Sequence, residues 1–177
     1  MSIYKAFFAG SGGQGVLLMG QMVTHAAMLD DKSSTFFPSY GPEMRGGTAN
    51  CTVVVSDKTV SCPLIHEADF VVAMNLPSLI KFEPMIKPGG ILLINTSFIS
   101  QKAARSDITA YEVPVIEMAQ ELGNARVANM VMLGAFVRAT SIVSEASVKK
   151  VIDETIGAKK ADLRDINIKA FEMWKYE

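Results

Sequence analysis

Short apolar runs alternate with helical segments along most of this chain, and that alternation constrains the fold more than any other feature. Ile3 to Ala9 is apolar-rich, and Phe70 to Met74 and Ile91 to Ile94 are wholly apolar. Uninterrupted runs of this length suit strands covered on both faces of a parallel sheet. Thr35 to Phe37 and Ile108 to Val113 read as further strands, and Ala49 to Ser56 is a strand rich in valine and threonine. Val16 to Leu29 reads as a largely buried helix, with Gln21, Thr24 and His25 as its narrow polar stripe. Proline in the first turn starts helices at Pro77, running to Ile86, and at Pro114, ending near Gly123. Lys87-Pro88-Gly89-Gly90 reads as a turn. The last third is helical. Asn129 to Ala139 is nearly all apolar and small, so that helix is either fully buried or covered by a partner subunit. Ser144 is placed to N-cap a helix ending at Gly157, and Ala161 to Tyr176 forms the last helix. An antiparallel hairpin is expected near Asp57-Lys58, its second strand Val60 to Cys62 stopped by Pro63. The expected class is α/β: a three-layer α/β/α, Rossmann-like arrangement, with a mostly parallel sheet, one antiparallel hairpin and a helical C-terminal third. No repeat or linker interrupts it, so residues 1–177 read as one domain.

Composition excludes some functions. The chain has 177 residues, is 49% hydrophobic and carries a formal net charge of -1. Nucleic-acid binding needs a basic face, which this balance does not supply. No apolar run reaches the roughly 18 residues of a transmembrane helix, and the N-terminal segment lacks a signal-peptide layout. We therefore expect a cytoplasmic protein with no membrane partner. Cys51 and Cys62 do not form a Cys-x-x-Cys pair, so no zinc or iron–sulfur site is expected within this chain. If the hairpin loop is two residues long, the two lie diagonally on one face. Reduced thiols are the expectation for that compartment, and a redox pair is the alternative.

Two loops carry the functional signal. Gly10, Gly12 and Gly15 have the spacing G-x-G-x-x-G between a strand and a helix. Such glycines permit a tight turn, close backbone approach and phosphate binding at the helix N-terminus. Asp30 and Asp31 stand near the distance at which a ribose-binding acid occurs, yet they precede the second strand rather than end it. A dinucleotide site is therefore one reading, and packing or another anionic group is the other. Downstream, Ser39-Tyr40-Gly41-Pro42-Glu43-Met44-Arg45-Gly46-Gly47-Thr48 is a shaped loop that neither helix nor regular strand tolerates. In an open sheet, ligands bind outside the carboxyl ends of the strands. The glycine turn, Asn75, Asn95-Thr96-Ser97 and the shaped loop all fall there. Arg45 can clamp a carboxylate or phosphate bidentately, or pair with Glu43 to hold the loop. Tyr40 can meet a partner or anchor the loop on the core. Asn75 can donate to a ligand or cap the helix that follows. Gln14 can orient the glycine turn or face a partner. His25 reads as structural and His66 as an exposed loop residue.

Taken together, Gly10-Ser11-Gly12-Gly13-Gln14-Gly15-Val16 with Gly20, Pro38 to Gly47, Ala73-Met74-Asn75, Lys87-Pro88-Gly89-Gly90 and Asn129 to Ala135 closely resemble the gamma subunit of 2-oxoacid:ferredoxin oxidoreductases. The resemblance runs from about Lys5 to Ala139 and is looser in the terminal helices. The Glu43 to Cys51 version looks more like the 2-oxoglutarate and branched-chain (ketoisovalerate) branches than the pyruvate branch, and indolepyruvate oxidoreductase carries a related subunit. The resemblance implies a complex that turns a 2-oxoacid and CoA into acyl-CoA, CO2 and reduced ferredoxin. It implies thiamine diphosphate, Mg and iron–sulfur clusters in alpha, beta and ferredoxin-like delta subunits, with ferredoxin as acceptor and no cofactor held by this chain alone. The chain lacks the Gly-Asp-Gly plus Asn-Asn metal–diphosphate motif of thiamine enzymes, which agrees with that division. Isolated, the subunit would be inactive and can form a homodimer. Arg45, Glu43 and Tyr40 become candidate catalytic-interface residues, and Gly10, Gly12, Gly13, Gln14, Gly15 and Asn75 candidate cofactor- or CoA-binding residues. A free-standing nucleotide-binding oxidoreductase and a non-catalytic assembly protein are the other readings.

Overall fold

The computed structural model describes residues 2–39, 48–60, 65–157 and 161–175. In chain order the elements are β1 (Ile3–Ser11), α1 (Val16–Leu29), β2 (Ser33–Ser39), β3 (Thr48–Ser56), β4 (Ala68–Ala73), α2 (Leu76–Phe82) and β5 (Ile86–Asn95). They continue with β6 (Thr109–Val113), α3 (Val115–Glu121), α4 (Ala128–Thr140), α5 (Glu145–Ile152) and α6 (Ala161–Met173). Among the described residues, six strands form one sheet in the order β2-β3-β1-β4-β5-β6. β1, β4, β5 and β6 pair parallel, whereas β3 runs antiparallel to both β1 and β2. The class is the one expected, an α/β fold with a mostly parallel sheet.

Alternating side chains divide the core between the two faces of the sheet. Ala6, Phe8, Val72 and Leu93 join α1 and α3–α6 on one face. Phe7, Ala9, Val71 and Ile94 join Leu79 and Phe82 of α2 on the other. Phe8 meets Phe136 of α4, and Phe7 meets Phe82, each at 4.8 Å between ring centroids. β1 and β4 are neighbours, yet α1 leaves β1 towards one face and α2 leaves β4 towards the other. The crevice between their carboxyl ends is therefore a topological switch point, where ligands bind in open α/β sheets.

α4 resolves an open alternative. Met130 to Val137 are all buried within the chain itself, chiefly under α6, α3 and the sheet. Its apolar circumference thus needs no partner. Gly134 lets α6 pass close by, since a Cβ there would stand 1.9 Å from the Phe171 carbonyl oxygen. Arg138, one turn on, donates to the carbonyls of Phe171 at 2.8 Å and Trp174 at 2.9 Å, and pairs with Glu145 at 3.1 Å.

Two local expectations are corrected. The antiparallel component is not a hairpin closing at Asp57-Lys58. β3 pairs on one edge with β1 and on the other with β2, in both cases as far as Ser56, so neither edge is left for a returning strand. Val60 lies outside any strand, and Cys62 lies outside the described residues. Cys51 is opposed by Phe8 and Pro38, so the diagonal cysteine geometry does not arise from that hairpin. The eight residues 40–47 between β2 and β3 are too few for a parallel crossover, which requires about a dozen or more. Lys87-Pro88-Gly89-Gly90 is not a free turn but an irregularity inside β5. Ala68 pairs with Ile86, and Phe70 with Ile91. Pro88 has no N–H for the ladder, and Gly89, at φ 78°, donates instead to the Asp107 carbonyl at 2.7 Å.

Asp30, just after α1, ties the first helix to the fifth. Its carboxylate accepts from the Ser144 N–H at 2.6 Å, the Ser144 hydroxyl at 2.8 Å and the Ser147 hydroxyl at 2.5 Å. Partial burial pushes this carboxyl up, but the bonds from Ser147 and Ser144, with Lys32 nearby, outweigh it and hold it below the usual range. A carboxyl lowered on folding stabilises above its unfolded pKa and loses that contribution as pH falls through the folded one. Asp30→Asn is expected to lower stability by about 1 kcal/mol at pH 7, the usual value of a helix cap. The gap to wild type should begin to narrow below about pH 4, the range of the unfolded carboxyl, and vanish only as pH falls through the lower folded value. Urea midpoints at pH 7 and pH 3.5 check this, and a gap of constant size contradicts it.

Candidate functional site at the switch point

The glycine turn is built by close approach. Gly10, next to the last residue of β1, lies where any Cβ would stand 2.6 Å from Gln14 Oε1 and 2.7 Å from Met74 Cβ. Ser11 to Gln14 then closes as a turn, with the Gln14 N–H on the Ser11 carbonyl at 3.2 Å. Gly12 and Gly13 are its exposed tip, and Gly13 adopts φ 93°. Gly15 precedes α1 in the left-handed region, at φ 73°, and no side chain caps this helix. Among the described residues, the first N–H groups of α1 therefore have no side-chain acceptor, and its first turn carries no acid.

Gln14 orients the turn, which was one of its two readings. Its Oε1 accepts from the Ser11 N–H at 2.7 Å, and its Nε2 donates to the Met74 carbonyl at 3.1 Å. The same carbonyl accepts from Asn95 Nδ2 at 3.1 Å, while Asn95 Oδ1 accepts from the Ser97 N–H at 3.1 Å. Three strand ends thus meet on one carbonyl. Asn75 is a cap: its Oδ1 accepts from the Ser78 N–H at 3.1 Å. Its Nδ2 also donates to Ser11 Oγ at 2.6 Å, linking the ends of β1 and β4. Tyr40, Glu43 and Arg45 lie outside the described residues. The strands that flank them end beside the turn, since Thr48 of β3 pairs with Ser11.

A pocket of about 280 Å³ opens against this turn, lined by Gly13, Gln14, Met74, Asn95, Arg126 and Asn129, with Phe98 among its apolar contributors. A shallower cleft of about 250 Å³ lies against the N-terminus of α1 and includes Gly12, Leu17 and Ala49. Arg126, Asn129 and Phe98 were not singled out as site residues from the sequence. Asn129 stood only within a motif, and nothing local to Arg126 marks it. The α3–α4 connection delivers both to the turn, and Asn129 packs where a Gly15 Cβ would be.

Asp30 cannot serve as a ribose acid here. It lies before β2, at the opposite end of the sheet from the turn, and its carboxylate is occupied by Ser144 and Ser147. Cys51 is buried beneath α1, its Sγ 3.7 Å from the Val16 carbonyl, and burial pushes its pKa up to about 12. A thiol held protonated in this way is a poor nucleophile and a poor redox partner. Among the described residues, no cluster of three or more His, Cys, Asp or Glu side chains can hold a metal ion, and no helix is long and apolar enough to cross a membrane.

Comparison with known proteins agrees with this fold. The ketoisovalerate oxidoreductase subunit VorA of Methanothermobacter marburgensis is 38% identical over 93% of this chain, which spans 34% of VorA. The 2-oxoglutarate synthase subunit KorC of Methanocaldococcus jannaschii is 38% identical over 84% of this chain and 81% of its own length. The solved gamma subunit of a keto/oxoacid ferredoxin oxidoreductase from Geobacter sulfurreducens has a TM-score of 0.82 at 31% identity, over 96% of this chain and 95% of that one. The 2-oxoglutarate:ferredoxin oxidoreductase of Magnetococcus marinus, solved with 2-oxoglutarate, coenzyme A and succinyl-CoA, has a TM-score of 0.88 at 25% identity, over 97% of this chain and 30% of that one. The chain therefore spans about a third of VorA and most of KorC. Residues 5–173 match the model of one family, and the chain belongs to it: the pyruvate ferredoxin/flavodoxin oxidoreductase family.

Proposed function

We propose that this chain is the gamma-type subunit of a 2-oxoacid:ferredoxin oxidoreductase complex, which converts a 2-oxoacid and CoA to acyl-CoA, CO2 and reduced ferredoxin. The family match over residues 5–173 is the observation that carries this reading. 2-Oxoglutarate and branched-chain 2-oxoacids are the first substrates to test, because relatives named for them are 38% identical while a pyruvate synthase subunit is 32% identical. Thiamine diphosphate and the iron–sulfur clusters belong to the alpha, beta and ferredoxin-like delta partners, where they supply the carbanion and electron-transfer chemistry. This chain contributes one domain whose rigid sheet edge closes the site from one side. The glycine turn, locked by Gln14 and Asn75, presents backbone N–H groups and excludes water, and Tyr40, Glu43 and Arg45 are the candidate catalytic-interface residues. The free-standing dinucleotide enzyme is disfavoured because Asp30 is engaged elsewhere.

Affinity purification of the tagged chain from its source, followed by assay of CoA-dependent dye reduction, tests the reading. The substrates are 2-oxoglutarate, ketoisovalerate, pyruvate and indolepyruvate. Recovery of thiamine- and cluster-bearing chains with activity on one of them is expected, and their absence rejects it. Within that complex, Arg45→Ala is expected to lower turnover about 10- to 100-fold, the worth of one charge-assisted hydrogen bond or two. Its circular dichroism should be unchanged. Unaltered turnover removes Arg45 from the mechanism.

A further inference from the structure

The sheet ends at β6, and the free side of this strand offers a defined set of backbone groups. In an extended strand the N–H and C=O of one residue point to the same side, and successive residues alternate. The Val113 carbonyl accepts from the Thr96 N–H at 3.1 Å, and the Asp107 carbonyl from the Gly89 N–H at 2.7 Å. Gly89 lies in β5 and Thr96 just past it, so the odd-numbered residues of β6 turn their backbone groups towards β5. Ala110 and Glu112 turn theirs outward, and neither bonds to a further strand among the described residues. Both side chains are exposed, as is Thr109. A groove of about 740 Å³ lies beside this edge, lined by Tyr111 of β6, Met118 of α3, and Met173 and Trp174 where α6 ends. Two opposite charges also line it, Glu112 on the strand and Lys175 just past α6. Both are exposed, and neither forms an ion pair among the described residues. Glu172, which feels the charge of Lys175, is already held by Lys149 at 2.5 Å.

We infer that this edge is a self-association surface, on which the β6 strands of two copies pair antiparallel about a two-fold axis. The register follows from the same alternation, because outward residues must oppose outward residues. An axis at Glu112 would set two carboxylates against each other and bring Ala110 opposite Pro114, which has no N–H. An axis at Ala110 would bring Glu112 opposite Ile108, which lies outside β6. An axis at Tyr111 sets Ala110 of each copy opposite Glu112 of the other, and each such pair exchanges two N–H···O bonds. That register separates the two acids. It also brings each Glu112 beside the other copy's Ala110, in the groove that holds that copy's Lys175. The patch is thus complementary to itself in hydrogen bonding and in charge, as an isologous interface requires. Bonds exchanged for water gain little in so short a ladder. The groove supplies the rest, since Met118, Met173 and the two aromatic rings lose water when a second strand lies beside them. Pairing consumes the free edge of both copies, so the assembly closes at two.

Sedimentation equilibrium of the full chain over a range of concentrations tests this, as wild type, Ala110→Pro, Glu112→Lys and the double exchange Glu112→Lys with Lys175→Glu. The wild type is expected to show a monomer–dimer equilibrium. Ala110→Pro deletes an N–H that β5 does not use, and proline is tolerated at such an edge position. The dissociation constant of the dimer should rise about tenfold or more, because each copy loses one bond to the other. Glu112→Lys should raise it about fivefold, and the double exchange should return it to within about twofold of wild type, since exposed charge pairs are individually weak. Urea midpoints establish that each variant is folded. If Ala110→Pro does not fold, the loss and rescue in the charge exchange decide the matter by themselves. A wild type that is monomeric at every concentration overturns the inference, as does a dimer that none of these substitutions weakens. A monomeric wild type whose Ala110→Pro variant no longer assembles with the partner chains also overturns it, and gives the edge to a strand of another subunit.

Discussion

Gly134→Ala is expected to lower the free energy of unfolding by about 3 kcal/mol, at or beyond the upper end of ordinary overpacking. The added Cβ would lie 1.9 Å from the Phe171 carbonyl oxygen and 2.8 Å from its carbon. These are backbone atoms of α6, so no rotamer change can relieve the contact. Alanine's better helix propensity offsets only about 1 kcal/mol. The displacement must reach Arg138, whose guanidinium holds the carbonyls of Phe171 and Trp174 and thereby fastens the end of α6. Trp174 is the chain's one tryptophan and stands edge-on to Tyr111 at 5.6 Å. Its fluorescence should report the loosened α6 alongside a lower urea midpoint. A midpoint equivalent to wild type within about 0.5 kcal/mol, the level of a neutral surface substitution, would falsify the close α4–α6 packing.

The second large effect is expected from Asn95→Asp, and its sign depends on pH. Asn95 is fully buried and its Nδ2 donates to the Met74 carbonyl. A carboxylate there keeps the acceptor for the Ser97 N–H but opposes the Met74 carbonyl with negative charge. Burying that charge without a partner costs about 3–5 kcal/mol. The substituted carboxyl escapes by remaining protonated, so its folded pKa lies above its unfolded one. A group raised on folding is tolerated below the unfolded pKa and destabilises progressively above it. The loss relative to wild type should therefore be largest at pH 7 and smaller near pH 4.5, where the protonated acid can still donate to Met74. Urea titrations at the two pH values read this directly. Equal losses at both would mean that the site is not dry or that Met74 is not the acceptor.

Much of the architecture was legible because the signals are local. The helix Val16–Leu29 has the expected bounds, since a glycine in the left-handed region precedes it and the polar Asp30 follows. The central strands declare themselves by continuous apolar runs, and Asn75 and Ser144 cap helices as their residue types suggest. The direction of β3 was not legible. Valine and threonine alternate alike in a parallel or an antiparallel strand, and only the short 40–47 connection constrains the choice. The strand-like start at Ile86 was hidden by Pro88 and two glycines, which read locally as a turn but interrupt β5 without ending it.

The candidate site divides in the same way. The glycine spacing marks the turn, because only glycine fits at Gly10, and Gly15 must adopt a positive φ. Asp30 looked like a ribose ligand by its distance along the chain, but it bonds to residues 114 and 117 positions away. Arg126 and Asn129 reach the turn from the α3–α4 connection, and no spacing near either one encodes that meeting. Periodicity, capping and turn chemistry act over a few residues, so the sequence alone determined the central strands, most of the helices, the glycine turn and the family resemblance. The tertiary structure decided which ends of those elements share the switch point. That depends on the insertion of β3 between β1 and β2 and on helices leaving β1 and β4 to opposite faces, and such long-range pairings exist only once the whole sheet is assembled.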